Sequence, residues 1–208
     1  MRTIGYFIFV LLFSSFGLAK NKCANSYSAK NLAGLFRSAN IEYLVHETNI
    51  DSLVSILKSK SLVSRKKLNQ EGLKVKGHFI PEMNRNVVYM TAIHGNPYRD
   101  PYPFRHFVDD VAILVSTKIL NRNSPLFVNE GWSMGKVGLN TFRIEDLNRN
   151  ELTMLSEPNE IIFNQVNFFL SEIKIALYEK DIELVKKQLI EKVSSDVSWE
   201  KFFVILPD

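Results

Sequence analysis

The sequence predicts an α+β fold in which antiparallel strands form the core and helices lie at the periphery. Runs rich in β-branched and aromatic residues dominate the middle of the chain, whereas helical periodicity is found nearer its two ends. The regular strand–helix alternation of a doubly wound parallel sheet is missing from the pattern. With 208 residues, of which 46% are hydrophobic and 23% charged, the chain can bury a full core.

Residues 1–19 have the pattern of a secretory signal peptide. Arg2 supplies the positive charge, residues 7–16 form an apolar run, and Gly17 and Ala19 are small residues at the −3 and −1 positions of a cleavage site. The apolar run is too short to span a bilayer comfortably. We therefore expect residues 20–208 to form one domain of a secreted or periplasmic protein, without stable membrane insertion. An uncleaved signal anchor is the alternative.

The composition and the missing motifs argue against several functional classes. Cys23 is the only cysteine, so an intrachain disulfide cannot form and stability must come from packing. The net charge of +4 permits an anionic partner without requiring one. The glycine-rich nucleotide motifs, the zinc-protease motif and the serine-hydrolase elbow do not occur in the sequence. Because the four histidines also lack ligand spacing, no metal is expected.

Three segments have helical patterns. In the second of them apolar residues recur at i, i+3, i+4 and i+7, which is typical of a helix packed on a core. Thr48, Asn49 or Asp51 is placed to cap its first turn. The three helices are predicted at residues 27–39, 50–57 and 182–193.

Six strands are predicted from alternating or continuous apolar runs, and residues 117–121 are predicted to form one helical turn. The polar segment 64–77 and the proline-rich segment 94–110 are predicted to be loops. Residues 131–150 are predicted to be a loop with short pieces of structure. The strands are predicted at residues 41–45, 87–91, 111–116, 161–163, 173–177 and 202–206.

Three polar residues stand in or beside apolar strands, in the order His46, Tyr89 and Glu160. A buried strand tolerates a polar group only if that group is hydrogen-bonded or used. Their order suggests one site built on the edges of several strands. Each residue also has a purely structural explanation: a histidine satisfied by backbone, a packed tyrosine, and a glutamate at the solvent edge of a strand.

The segment 43–62 resembles the opening motif of ADP-ribosyltransferases of the diphtheria-toxin and poly(ADP-ribose) polymerase type. In that family a strand ends in His-x-Thr, as in His46-Glu47-Thr48, and a helix follows that carries Leu-x-x-Ile-Leu, as at residues 53–57. Lys60 departs from the pattern, because it stands where a glycine is usual. The DarT-like DNA ADP-ribosyltransferases and the RNA 2′-phosphotransferases share this opening.

Two further segments are similar to later motifs of the same family. Val87-Val88-Tyr89-Met90-Thr91 resembles the second motif, in which an aromatic residue ends a strand, and residues 96–102 are similar to the segment that follows it in DarT-like proteins. Asn159-Glu160-Ile161-Ile162-Phe163 resembles the third motif, in which a catalytic glutamate opens a strand. The resemblance covers residues 43–178.

The resemblance implies a split antiparallel β core and NAD as the substrate. Glu160 would be the catalytic carboxylate, stabilising the oxocarbenium-like state formed when the nicotinamide–ribose bond breaks. His46 would hydrogen-bond the adenosine ribose, and Tyr89 would stack on the nicotinamide. Arg65 or Arg85 would bind the pyrophosphate.

The resemblance leaves the role of Thr48 and the acceptor open. Thr48 would either assist NAD binding or cap the following helix. Family members that modify arginine commonly carry Glu or Gln two residues before the catalytic glutamate, and Pro158 at that position disfavours an arginine target. The loop 145–159 would lie where the family recognises its target.

Together, the signal peptide and the resemblance predict a secreted NAD-dependent ADP-ribosyltransferase, a toxin or effector that modifies a macromolecular acceptor, either protein or nucleic acid. The alternatives are a non-catalytic binding protein on the same fold and RNA 2′-phosphotransferase-like chemistry.

Overall fold

The computed structural model describes residues 31–70, 86–95, 111–130, 141–155 and 159–206. Within these ranges the chain forms five α-helices: α1 (Leu32–Ser38), α2 (Ile50–Ser59), α3 (Arg65–Gln70), α4 (Arg149–Thr153) and α5 (Ile182–Lys192). The longest of these helices, α5, has 11 residues, and none of the described helices has the length and apolar character that a membrane span needs.

Ten strands accompany these helices in the described ranges. They are β1 (Ile41–Thr48), β2 (Ser61–Val63), β3 (Val88–His94), β4 (Val111–Ser116), β5 (Phe127–Glu130), β6 (Thr141–Arg143), β7 (Asn159–Phe163), β8 (Gln165–Asn167), β9 (Ile173–Tyr178) and β10 (Phe203–Leu206). Eight of them form one sheet in the order β10-β9-β4-β1-β3-β7-β5-β6, and β2 pairs with β8. All of these pairs are antiparallel except β10–β9, which is parallel. The predicted α+β class is therefore confirmed.

The sheet divides between β1 and β3. These two strands pair antiparallel as far as Val45 and Thr91, where their ladder ends. Beyond that point β1 runs on to Thr48 paired with β4, whereas the other end of β3 reaches back to Val88 paired with β7. The result is a split antiparallel core, as predicted. The opening of the split lies between the end of β1 and the start of β3.

The two faces of the large sheet bury different clusters of side chains, because successive residues of a strand point to opposite faces. Helices α1, α2 and α5 contribute Phe36, Leu53 and Leu189 to the larger cluster. The smaller cluster contains Val45 and Leu114. The helices thus cover mainly one face, and they hold β1 and β4 in place on one side of the split.

The ends of α2 are specified locally. Asn49 caps its first turn, accepting a hydrogen bond of 2.9 Å from the backbone N–H of Ser52, so the cap is Asn49 rather than Thr48 or Asp51. At the other end Lys60 adopts the left-handed conformation with φ 52° and ψ 35° and donates its N–H to the carbonyl of Ile56. A lysine therefore takes the backbone conformation for which a glycine is usual.

The six predicted strands and the helical turn at Thr117–Asn121 are all confirmed, most of them with bounds shifted by one to three residues. The prediction of a loop over residues 64–77 is wrong for its first half, which forms α3; residues 71–77 lie outside the described ranges. Four strands of three or four residues, β2, β5, β6 and β8, had no separate prediction. The signal segment, Cys23, Arg85, Pro158 and residues 96–110 also lie outside the described ranges.

Candidate active site

His46 lies where the ladder between β1 and β3 stops. Its Nδ1 atom is 3.0 Å from the carbonyl oxygen of Tyr89 on β3. Because a carbonyl oxygen can only accept, Nδ1 carries the proton and donates it to this bond. In the neutral ring Nε2 is then an acceptor, which is the partner that a ribose hydroxyl group requires. The side chain thus bridges the opening of the split and fixes its own tautomer.

Tyr89 lies on the other side of that opening. It pairs with Ile162 of β7, and its ring is half-buried. Burial and, in second place, the negative charge of Glu160 raise the pKa of Tyr89 from 10.0 to about 12. The phenol is therefore protonated and uncharged at physiological pH. Tyr89 presents a neutral aromatic ring next to a carboxylate.

Glu160 is the second residue of β7, and it lies on the same face of the sheet as Tyr89. Paired residues of adjacent strands share a face, and Ile162, the partner of Tyr89, is two residues from Glu160 on β7. The shared face agrees with the effect of Glu160 on the pKa of Tyr89. By the same alternation His46 points to the opposite face, since its neighbour Val45 pairs with Thr91. His46 joins the site through the Tyr89 carbonyl.

Sequence reasoning missed two residues near Glu160. Asn129 contacts Glu160 directly, and Thr141 contacts Asn129. The Nδ2 atom of Asn129 on β5 is 3.2 Å from Oε2 of Glu160. The hydroxyl of Thr141 on β6 donates a hydrogen bond of 2.8 Å to Oδ1 of Asn129. The available signal was weak: Phe127-Val128-Asn129 places an amide directly after two residues with high strand propensity, in a run of only four residues.

Asn159 fixes the position of Glu160 along β7. Its side chain is fully buried, accepts a hydrogen bond of 2.8 Å from the backbone N–H of Ala92, and donates one of 3.1 Å to the carbonyl of Ala92. The side-chain amide therefore bonds both backbone groups of Ala92, as a peptide group of a neighbouring strand would. The start of β7, and with it Glu160, is anchored to β3 by a side chain.

The remaining predicted site residues have the following positions. Thr48 is buried, pairs with Val111 of β4 at the end of β1, and does not cap α2. Arg65 is half-buried and begins α3, directly after the small β2–β8 pair. In α3, Lys67 hydrogen-bonds Gln165 of β8 at 3.2 Å. The contribution of Thr48 and Arg65 to ligand binding remains a prediction, as does that of Arg85.

The polar groups of the site are a carboxylate, a phenol and an imidazole, and they form no metal-binding cluster in the ranges that the structure describes. In those ranges no group of three or more His, Cys, Asp or Glu side chains is arranged to hold a metal ion. Glu160 places one negative charge on the same face as the aromatic ring of Tyr89. The imidazole of His46 is linked to this pair through the Tyr89 carbonyl. Such a set can stabilise a positive charge that develops on a bound sugar ring.

Comparison with known proteins finds a likeness among solved structures. No protein-family model matches the chain, and no curated protein sequence matches it. Among solved structures, the chain is similar to DarT from Thermus sp. 2.9, whose structure is of a complex with carba-NAD+. The identity is 15% and the TM-score 0.46, over 79% of this chain and 95% of that one.

Proposed function

We propose that the protein is an NAD-dependent ADP-ribosyltransferase that transfers ADP-ribose to a macromolecular acceptor. The observation that carries this proposal is the split between β1 and β3, with His46 and Tyr89 on its two sides, bridged at 3.0 Å, and Glu160 beside Tyr89. A dinucleotide seated in the opening would touch both sides. The three residues stand in the order of the motifs that resemble this family.

The proposed chemistry uses each of these groups differently. The bond between C1′ of the ribose and the nicotinamide nitrogen breaks, and the nitrogen keeps the electron pair, so nicotinamide leaves as a neutral molecule. The ribose becomes an oxocarbenium-like cation, which the Glu160 carboxylate stabilises. The nucleophile of the acceptor then bonds to C1′, and its proton passes to Glu160 as general base. Nothing in this sequence of steps requires a metal.

His46 and Tyr89 would hold the substrate for this step. The Nε2 acceptor of His46 suits a hydroxyl of the adenosine ribose, because Nδ1 is committed to the Tyr89 carbonyl. The neutral ring of Tyr89 suits the face of the cationic nicotinamide. Arg65 or Arg85 would bind the pyrophosphate, and Thr48 would support His46 from the end of β1. A signal peptide at residues 1–19 would direct the protein, as a toxin or effector, to act outside the cell that makes it.

The experiment that tests the proposal measures the release of nicotinamide and the transfer of label from adenine-labelled NAD. Purified wild type, Glu160→Gln and Glu191→Gln are each incubated with NAD alone and with cell lysate, and protein and nucleic acid are analysed separately. We expect turnover by wild type and by Glu191→Gln, whose altered carboxylate is an exposed group on α5. Glu160→Gln should lose about 100-fold or more of the rate while still binding NAD in calorimetry.

Two results would contradict the proposal. Wild type that binds NAD but neither hydrolyses it nor transfers label to any fraction would identify a non-catalytic binding protein on this fold. Equal rates for wild type and Glu160→Gln would remove Glu160 from the mechanism. The nature of the labelled fraction, protein or nucleic acid, decides the class of the acceptor.

A further inference from the structure

Three polar residues form a straight row across three adjacent strands next to the site. Thr141 of β6 is the direct partner of Asn129 on β5, and Asn129 is the direct partner of Glu160 on β7. Direct partners in antiparallel strands share a face and have Cβ atoms about 4.5–5.5 Å apart. Backbone register therefore aligns these three side chains before any of them forms a hydrogen bond.

The hydrogen bonds along this row run in one direction. The carboxylate of Glu160 can only accept, so the atom of Asn129 that faces it at 3.2 Å is the amide nitrogen, Nδ2. That choice leaves Oδ1 facing Thr141, whose hydroxyl donates to it at 2.8 Å. Thr141 thus sets which way the Asn129 amide is turned. Each bond polarises the next one toward the carboxylate.

Burial makes this orientation costly to lose. Asn129 is only 3% exposed, whereas Thr141 and Glu160 are half-buried. A buried amide cannot exchange its partners for water, so its bonds are stronger than they would be on the surface. A glutamate side chain without such a partner has three rotatable bonds with which to leave its position. Asn129 is a described neighbour that donates a hydrogen bond to one oxygen of that carboxylate.

We infer that Asn129, oriented by Thr141, is a positioning residue that holds the Glu160 carboxylate against the reacting ribose. This inference rests on the proposed function and adds to it residues that lie outside the three resembling motifs. Because the row hydrogen-bonds the Glu160 carboxylate, whose proposed role is in the chemical step, it should affect the rate of that step and leave the binding of NAD largely unchanged. Loss of a hydrogen bond to a charged group predicts about a 10- to 100-fold lower kcat.

The test compares kcat and KM for NAD in Asn129→Ala, Thr141→Val and Thr141→Ser, using nicotinamide release by the full chain. We expect Asn129→Ala and Thr141→Val to lower kcat with KM within about 3-fold of wild type, the former more strongly. Thr141→Ser keeps the hydroxyl and should restore most of kcat. The matched control is Asn123→Ala, which also removes a buried, hydrogen-bonded asparagine, one whose amide binds the backbone of Ile119 and Asn167.

The outcomes separate this inference from the proposed function. Unchanged kcat in Asn129→Ala, with an active wild type, overturns the inference and leaves the proposed function intact. A fall in kcat that is as large in Asn123→Ala, or that Thr141→Ser fails to reverse, indicates a general loss of structure and also overturns it. An inactive wild type overturns the proposed function, and the inference falls with it. Thermal unfolding of every variant ensures that only folded protein is compared.

Discussion

Replacing Asn159 by alanine should destabilise the protein, because it leaves two buried backbone groups of Ala92 without their hydrogen-bond partner. The Asn159 amide satisfies both the N–H and the carbonyl of Ala92, at 2.8 and 3.1 Å, and both residues are fully buried. Each buried backbone group left without a partner costs about 1–3 kcal/mol. We therefore expect the free energy of unfolding to fall by about 2–5 kcal/mol.

Urea unfolding followed by circular dichroism measures this loss. The midpoint should fall while the slope m stays constant, because the same surface is exposed on unfolding. Two further variants separate hydrogen bonding from volume. Asn159→Leu fills the space without restoring either bond, so it should be nearly as unstable as Asn159→Ala. Asn164→Ala removes an exposed asparagine just after β7 and should change stability by no more than about 0.5 kcal/mol.

The reasoning is refuted if Asn159→Leu regains the stability of wild type. That result would mean that packing, rather than the two bonds to Ala92, accounts for the burial of Asn159. A loss of less than about 1 kcal/mol in Asn159→Ala would mean that the two bonds to Ala92 contribute little to stability.

Two other predictions concern backbone strain and pH. Lys60→Gly should raise the free energy of unfolding by about 0.5–1 kcal/mol, because glycine accepts the positive φ of 52° without the steric cost that lysine carries. Lys60→Ala keeps that cost and serves as the control; equal stabilities of the two variants would contradict the prediction. The pKa of Tyr89 is raised by burial and by Glu160 to about 12 in the folded protein, from 10.0. The folded state therefore binds the phenolic proton more tightly, and this contribution is present below pH 10 and is lost as the pH rises through 12. Tyr89→Phe should show a smaller fall in stability over that interval in chemical unfolding at increasing pH, and an identical fall would contradict it.

Much of the fold could be predicted because long apolar runs carry their own signal. The six predicted strands include β9, β4 and β1, which are neighbours in the sheet, and each is long and apolar enough to be recognised from the sequence. The short strands gave no such signal, since three or four residues cannot establish a period. β5 is the important case, because it carries Asn129 to the side of Glu160.

The candidate site was predicted only in part, because only some of its residues stand in segments with a clear apolar pattern. Three polar residues stand out in apolar runs: His46, Tyr89 and Glu160. Their order along the chain was enough to suggest that they belong to one site. Asn129 and Thr141 stand in weakly patterned segments, and they reach Glu160 only through strand pairing. The capping of α2 by Asn49 instead of Thr48 was also undecided by the sequence, because all three candidates can accept a hydrogen bond from a helix N–H group.

By itself the sequence determined the fold class, most strand positions and the three residues that suggest a site, because hydrophobic period and isolated polar residues are local properties. Only the tertiary structure decided where the sheet divides, since a ladder ends where two strands exchange partners, and no local pattern marks that point. The register of β6, β5 and β7 likewise decided that Thr141 and Asn129 stand in line with Glu160. Pairing between segments distant along the chain is a property of their packing, and it assembled the surroundings of the carboxylate.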